Sequence, residues 1–505
     1  MMHEIHWSAQ AGFPILSALQ LLPLLGMATL LGWRESRAVP LLGTGFALLE
    51  LLLALLLLNF FDPTQEAMQL AERMPLFGPL AYHAAVDGVS VIFILLTALL
   101  CLLVVIYGQV RELTPHALFM PLVLAVESAL MGMFTSVDLL WFTLLSAMEL
   151  GLVGFLIARW STSPESELAQ ARYYQFMGTG LLLLLTGVIM LGWNYADANA
   201  GRWSFDLFEL QQTKVAPNFP SVIFFLLFYG LAVRIPLFPL HGWLPVVAEH
   251  GTVAAAPVFL IGLKIGIYAM LRFLLPLMPE TVLQWQPFIV AFAVAGVFYA
   301  ALLAMLQVNL RRLLAFAVVS HTSVLLIGMF SLNLAAFESS VMLSVNFGLA
   351  ITTLLFMLGF VYRRTHTLLM ARLGGLFDHI PLIGIAFLIG GLAIVGMPGT
   401  PGFNAVHLTL EAAIHRFGAL VTIAAALGNV AAAGFLLWAF QRSFLAPQDE
   451  TQAALKVEPT SPVEKLIAGV MILVMLSAGF YSEPWLGLIE NSLEGLNTLY
   501  GAGAH

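Results

Sequence analysis

A small set of ionisable side chains interrupts long apolar runs in this sequence. Glu149 falls in LLSAMELGLVG, Arg234 in LAVRIPLFPLHGW just ahead of Pro236, and Lys264 in FLIGLKIGIYAML. His321 stands in VVSHTSVLLIG beside Ser320, Thr322 and Ser323; Glu127 and Glu50 are embedded in equally apolar stretches. His407 and Glu411 are four apart, so a helix carries them on one face. A charge in hydrocarbon is costly and needs a partner or a wet cavity. A Lys can exchange a proton there when burial and a nearby carboxylate pull in opposite directions. Arg keeps its proton and can only tune a neighbour. Acid, base, base, then acid with His, linked by water at similar depth, would make a lateral proton path through Glu149, Arg234, Lys264, His407 and Glu411.

Plainer readings stand beside this one. Glu149 and Arg234 form either a working pair or a fixed salt bridge between helices. His321 is either a relay or a helix–helix hydrogen bond. Glu50 has no evident partner and reads as a helix contact. His407, Glu411 and His415 share i, i+4 spacing that two or three zinc ligands on one helix can use. No HExxH accompanies them, and no metal site is expected.

The elements that must hold these groups are membrane spans. The chain has 505 residues, 60% hydrophobic and 10% charged, against about 45–50% and about 25% in soluble domains. This excludes a soluble globular fold, a nucleic-acid binder and a disordered chain. A span needs about 20 mostly apolar residues. Such runs fall near 13–33, 39–61, 89–108, 115–134, 137–159, 172–192, 221–244, 252–276, 286–308, 312–332, 336–361, 381–418, 419–444 and 463–482. The expectation is an all-α polytopic membrane protein with about fourteen transmembrane helices. The seventh is broken by Pro236 and Pro239, the twelfth by Met397-Pro398-Gly399-Thr400-Pro401-Gly402. Paired interruptions point to an inverted-repeat transporter with its site at mid-membrane.

With the N-terminus outside, thirteen of the twenty Lys and Arg fall in inside loops, five in outside segments and two within spans. The positive-inside rule then puts both termini on the outer face of a bacterial-type inner membrane. The N-terminal segment lacks a signal-peptide cleavage pattern, so the first span is read as retained. Stretches near 62–88, 193–220 and 445–462 are loop-sized, leaving no soluble domain. The net charge of −8 suggests no anionic partner such as nucleic acid. The lone Cys101 supports no disulfide framework, cysteine-ligated cluster or cysteine zinc site. No GxGxxG or GxxxxGK[ST] motif is present, so any nucleotide or flavin chemistry belongs to another subunit.

FYGLAVRIPLFPLHGWLP, GLKIGIYAMLRF and QVNLRRLLAFAVVSHTSVLLIGMF together resemble the antiporter-like membrane subunits of respiratory complex I. The M subunit (subunit 4) branch, related to the D subunits of Mrp antiporters, is the nearest in pattern. RRTHT with LGGL, MPGTPGF and AFQRSF follow in order, and the resemblance covers about residues 85–445. It divides the chain into N-terminal helices (1–84), an antiporter-like proton-translocating core (85–445), and a loop with a C-terminal helix (446–505). It implies a proton-translocating subunit in which Glu149 and Lys264 take family positions. Glu127 falls where members often carry an acid, and His321 on the family's SH motif. Departures are specific: Arg234 replaces a Lys, HGWLP continues as Val246-Val247-Ala248 without the family's Asp and second His, Phe347-Gly348 replaces HG, and Val406 stands where an acid is expected, beside His407.

These departures imply a divergent paralogue. Either it still moves protons through Lys264 and a shifted exit at His407 and Glu411, or its path is cut. A cut or altered path would suit a specialised assembly, such as one coupling CO2 hydration to inorganic-carbon uptake. A secondary cation/proton antiporter subunit is a further alternative. The expected partners are antiporter-like paralogues and other membrane subunits, with a peripheral redox (quinone-reducing, NADH dehydrogenase-like) or hydration subunit, in a lipid bilayer. No cofactor bound by this chain and no catalysis by the polypeptide itself are expected, because no nucleophile–base pair or redox ligand set is visible.

Overall fold

The computed structural model describes residues 4–216, 219–252, 264–447 and 457–501. Much of the expected span 252–276, and Lys456 among the inside charges, lie outside the described residues. In chain order the helices are α1 (Ile15–Gly32), α2 (Val39–Phe60), α3 (Gly88–Val110), α4 (His116–Thr135), α5 (Leu139–Arg159), α6 (Ser166–Ala198), α7 (Leu207–Gln211), α8 (Pro220–Ala232) and α9 (Leu244–His250). They continue as α10 (264–269), α11 (Leu275–Leu277), α12 (Pro279–Met305), α13 (Leu310–Met329), α14 (Leu334–Thr365), α15 (Leu376–His379), α16 (Pro381–Val395), α17 (Pro401–Phe417), α18 (Ala419–Phe440), α19 (Pro462–Phe480) and α20 (Glu483–Gly501). A wide π turn, Met270–Leu274, joins α10 to α11.

Among the described residues, eleven helices are long and apolar enough to cross a membrane. Two shorter apolar helices, α8 and α16, are the first halves of the broken spans. The breaks follow from the residues. After Ala232 the chain turns through Val233–Trp243, where Pro236 and Pro239 supply no N–H. Trp243 Nε1 donates to Val233 O at 3.2 Å and pins the break. α16 stops at Gly396, whose φ of +80° suits a glycine helix end. Gly399 turns the chain again with φ +86° before Pro401 opens α17.

The core is more polar than the rim. α13 and α14 are each 94% buried over their most apolar window, against 28% for α2. Yet it is α13 and α14 that bury Ser320, His321, Thr322, Ser323, Ser339, Ser340, Ser344, Asn346, Thr352 and Thr353. Leu41, Leu52, Leu182 and Leu302 stay exposed on the outside. This is the distribution expected where lipid is the solvent and polar side chains tie helices together.

Two elements depart from an all-α layout. Residues expected to form a loop near 62–88 include a hairpin, β2 (Met68–Phe77) with β3 (Leu80–Val86), turning at Gly78 with φ +54°. The N-terminal strand β1 (Glu4–His6) pairs parallel to β2. At the other end, α20 follows α19 and packs against α3, α11 and α14. Where α3 begins, a Cβ on Gly88 would lie 1.8 Å from Leu488 O, so only glycine admits α20 there.

Candidate functional site

The sequence-derived residues fall into three groups. The first is built on the break after α8. Arg234 stands in the turn, its backbone N–H donating to Leu231 O at 3.0 Å. Its guanidinium Nη2 donates to Glu149 Oε2 on α5. Glu149 is 2% and Arg234 8% exposed, so this pair is desolvated and each charge depends on the other. Tyr173 on α6 lies within electrostatic range of both and packs edge-on against Trp243, ring centroids 6.0 Å apart.

The second group is central. Lys264 lies on α10, and two residues on, Gly266 packs so close to Ile235 that a Cβ would meet its Cγ1 at 2.3 Å. Lys264 and Arg234 are therefore carried by segments in direct contact. Lys264 and His321 are buried and line one small cavity with Ala317, Val318, Thr322, Phe347 and Ile351. Its volume of about 10 Å³ is at the lower limit for one water. Both ring nitrogens of His321 lack a partner among the described residues, and a buried imidazole calls for one. Phe347 stands against both bases: its ring centroid is 5.3 Å from Lys264 Nζ and 5.1 Å from the His321 ring. The ammonium thus meets an aromatic face where the family pattern has a second imidazole.

The third group is peripheral to the first two. Glu127 on α4 and Glu50 on α2 are fully buried, all four carboxyl oxygens lack a partner among the described residues, and the two lie within electrostatic range of each other and of Cys101. Glu50 therefore has a neighbour that its sequence context did not disclose, and that neighbour is an acid.

His407 and Glu411 do not join the buried row. Both are exposed on α17, on a face they share with Phe403 and Ile414, while Ala405, Thr409, Ala412 and Ala413 are buried. The small residues let α17 approach its neighbours closely, and the ionisable face is turned out. His415 is exposed too, and among the described residues no group of three or more His, Cys, Asp or Glu could hold a metal. Near Phe347 and the broken helix α16–α17 lie buried neutral polar groups. Asn346 Nδ2 donates to Ala393 O at 2.9 Å, beside the break before α17. Asn346 Oδ1, Thr352 Oγ1 and both polar atoms of Asn429 have no partner among the described residues. The structure thus places Glu149 with Arg234 and Lys264 with His321 in buried groups, and His407 and Glu411 on an outward-facing side of α17. Asn346 and Asn429 escaped the sequence reading because neutral amides carry no charge to mark them.

Other buried ions are structural ties. Arg272, expected in an outside segment, is buried with Nη2 donating to Asp87 Oδ1 at 2.6 Å and Nε to Tyr268 Oη at 3.2 Å. Arg364 grips Glu464 through Nη1 and Nη2 at 2.9 and 2.7 Å, joining α14 to α19.

Residues 136–432 match the family described as NADH:quinone oxidoreductase/Mrp antiporter, TM. The chain belongs to this family. It is 28% identical over 487 residues to NADH-ubiquinone oxidoreductase chain 4 of Marchantia polymorpha, covering 95% of this chain and 96% of that one. It is 29% identical over 432 residues to NADH-quinone oxidoreductase subunit M of Pseudomonas aeruginosa, covering 84% and 83%. A chain of respiratory complex I from Thermus thermophilus superposes with a TM-score of 0.86 at 26% identity, covering 97% of this chain and all of that one. A chain of the Mrp complex from Dietzia sp. shares the fold, with a TM-score of 0.84 at 19% identity over 96% and 98% of the two chains. The antiporter-like fold and its multi-pass membrane character are therefore established for this chain. The solved chains it resembles are subunits of multi-subunit complexes.

Proposed function

We propose that this chain is a proton-translocating, antiporter-like membrane subunit of a complex I-related assembly, and not itself a catalyst. The observation that carries the reading is the cavity shared by Lys264 and His321, two buried bases with room for one bridging water. Lys264 takes and releases the proton, and His321 exchanges it through that water. Arg234 holds a fixed positive charge against Glu149. Glu127, with Glu50, lies outside the main line as a carboxyl pair. Asn346, Thr352 and Asn429 offer neutral hydrogen-bonding positions beyond Phe347. His407 and Glu411 mark the place where the path leaves the chain toward a neighbouring membrane subunit.

The partners on this reading are antiporter-like paralogues and a peripheral redox arm, and both termini lie on the outer face of the membrane. The relatives named above favour a quinone-linked assembly over inorganic-carbon uptake. The test is proton flux by the assembled complex in liposomes carrying Lys264→Met. A loss of about a hundredfold or more, the low end of what a positioned acid–base group contributes, is expected with assembly intact. Undiminished flux in an intact complex would remove Lys264 from the mechanism.

A further inference from the structure

Beside the break that carries Arg234, a groove of about 540 Å³ opens between α6, α8, the turn Leu237–Leu240 and α12. Its walls are apolar, chiefly Leu183, Phe228, Leu237, Phe238, Phe288 and Phe292. One wall is a single stripe of α6. Arg172, Gln175, Thr179 and Leu183 are spaced i, i+3, i+7 and i+11, so they descend one helix face. The stripe grades from a cation through an amide and a hydroxyl to hydrocarbon. Residues Phe176–Trp193 contain no charge, whereas Glu167, Gln170, Arg172 and Gln175 precede them. The upper end of the groove is therefore at headgroup level and the lower end is in the hydrocarbon layer. Arg172 is exposed and makes no ion pair with a carboxylate among the described residues; its Nη1 donates to Gln175 Oε1 at 3.4 Å.

We propose that this groove seats one acyl chain of an anionic phospholipid whose phosphate rests on Arg172. Two observations select this occupant. A small polar solute needs convergent polar groups to fix it, and the lining offers only Gln175, Thr179 and Tyr229. In addition, the residue that continues this stripe one turn beyond Gln175 is the cation Arg172, at the depth of lipid phosphates, where anionic headgroups are drawn to basic side chains. A chain seated there packs on Leu237 and Phe238 and braces the turn that presents Arg234 to Glu149.

The assembled complex is placed in nanodiscs of phosphatidylcholine containing phosphatidylglycerol with a diazirine on one acyl chain. After irradiation the labelled residues are mapped by mass spectrometry, with Leu302, an exposed residue on the outer face of α12, as the reference for bulk lipid. The expected result is labelling of Leu183, Phe288 and Phe292 well above Leu302. Thr179→Trp, which fills the groove from an exposed position, should abolish the excess. Arg172→Ala should lower it about fivefold, the effect of one basic residue on anionic lipid, and the same diazirine on phosphatidylcholine should label weakly in both backgrounds. Equal labelling of groove and reference, or no preference for the anionic lipid, overturns the proposal in favour of ordinary boundary lipid. An unlabelled groove whose residues cross-link instead to a neighbouring subunit overturns it in favour of a protein occupant.

Discussion

Arg234 and Glu149 satisfy each other in a site nearly closed to solvent, and their value to the protein is asymmetric. Removing one partner leaves the other as a buried, uncompensated charge, which costs about 3–5 kcal/mol, whereas the intact pair adds little net stability. Arg234→Met is therefore expected to lower the thermal stability of the chain or block its assembly. Arg234→Lys should keep the complex folded and retain much of its proton flux. Calorimetry of the purified complexes beside liposome flux separates the two effects, and equal behaviour of both variants would deny the charge any role. Phe347 makes a second case. Its ring occupies the space between Lys264, His321 and the neutral groups beyond. Phe347→His offers hydrogen-bonding nitrogens in that place and should raise proton flux several-fold; unchanged flux would show that the ring is not the obstacle. These residues were legible in the sequence because an intramembrane charge demands an explanation. The outward turn of His407 and Glu411 was not drawn from it, although the signal was present: Ala405, Thr409, Ala412 and Ala413 form a small-residue face on the opposite side of α17, the side that packs.

Outside the spans, the hairpin is held by a histidine between carboxylates. His83 Nδ1 lies 2.5 Å from Asp206 Oδ2 and its Nε2 lies 2.8 Å from Glu4 Oε2. Arg73 reaches Asp206 at 3.6 Å, Asp138 pairs backbone to backbone with Asp206, and the ring of Phe208 covers the imidazole. Burial works against the imidazolium, but the hydrogen bond and charge of Asp206, aided by Glu4, outweigh it and raise the His83 pKa above 6.5. Burial, opposed by the Trp141 N–H and reinforced by Asp206, lifts the Asp138 carboxyl to about 6. Burial also opposes the Asp206 carboxylate, yet the hydrogen bond and charge of His83 hold its pKa below the usual 3.8. A raised histidine stabilises fully below its unfolded pKa and loses that contribution as pH rises through the folded value. Asp138 acts in the same direction, since its pKa is raised from 3.8 to about 6 and the stability its neutral form lends is lost as pH rises between those values. Asp206 withdraws its contribution only in strong acid. Hydrogen exchange of Met68–Val86 is thus expected to be slowest in mild acid and to quicken, after correction for intrinsic rates, as pH climbs past 6.5. His83→Ala should flatten the profile, and a profile identical to the unaltered chain would refute the clamp. MPLFGPL, with Gly78 between two prolines, was the turn signal for this hairpin. It was obscured because strand alternation here is short and set among longer helical runs. The broken spans were easier to see, since proline and glycine act locally.

At the scale of the molecule, long-range closures join parts that the sequence leaves far apart. α20 reaches back through Asn491 Nδ2 to Pro63 O at 2.8 Å, accepts from the Gly88 N–H at Ser492 Oγ at 2.9 Å, and donates from Tyr500 Oη to Leu275 O at 2.8 Å. Gly88→Val places a side chain against the Leu488 carbonyl and should release α20. The expected sign is protease cleavage within 483–501 at concentrations that spare the unaltered chain; equal resistance would show that α20 docks without that contact. No hydropathy reading identifies α20 as a span, because its polar face carries Glu483, Glu490, Asn491 and Glu494. Its place follows from tertiary fit, which single-residue periodicity does not encode. The Arg364–Glu464 clasp between α14 and α19 belongs to the same set of closures. During synthesis, then, the earliest helices enter the bilayer with the Pro63 carbonyl and the start of α3 still uncovered, waiting for a segment translated some four hundred residues later. Until it arrives the bundle is an unlatched intermediate, and an insertase or a sister subunit that shields this open seam would govern how much protein matures.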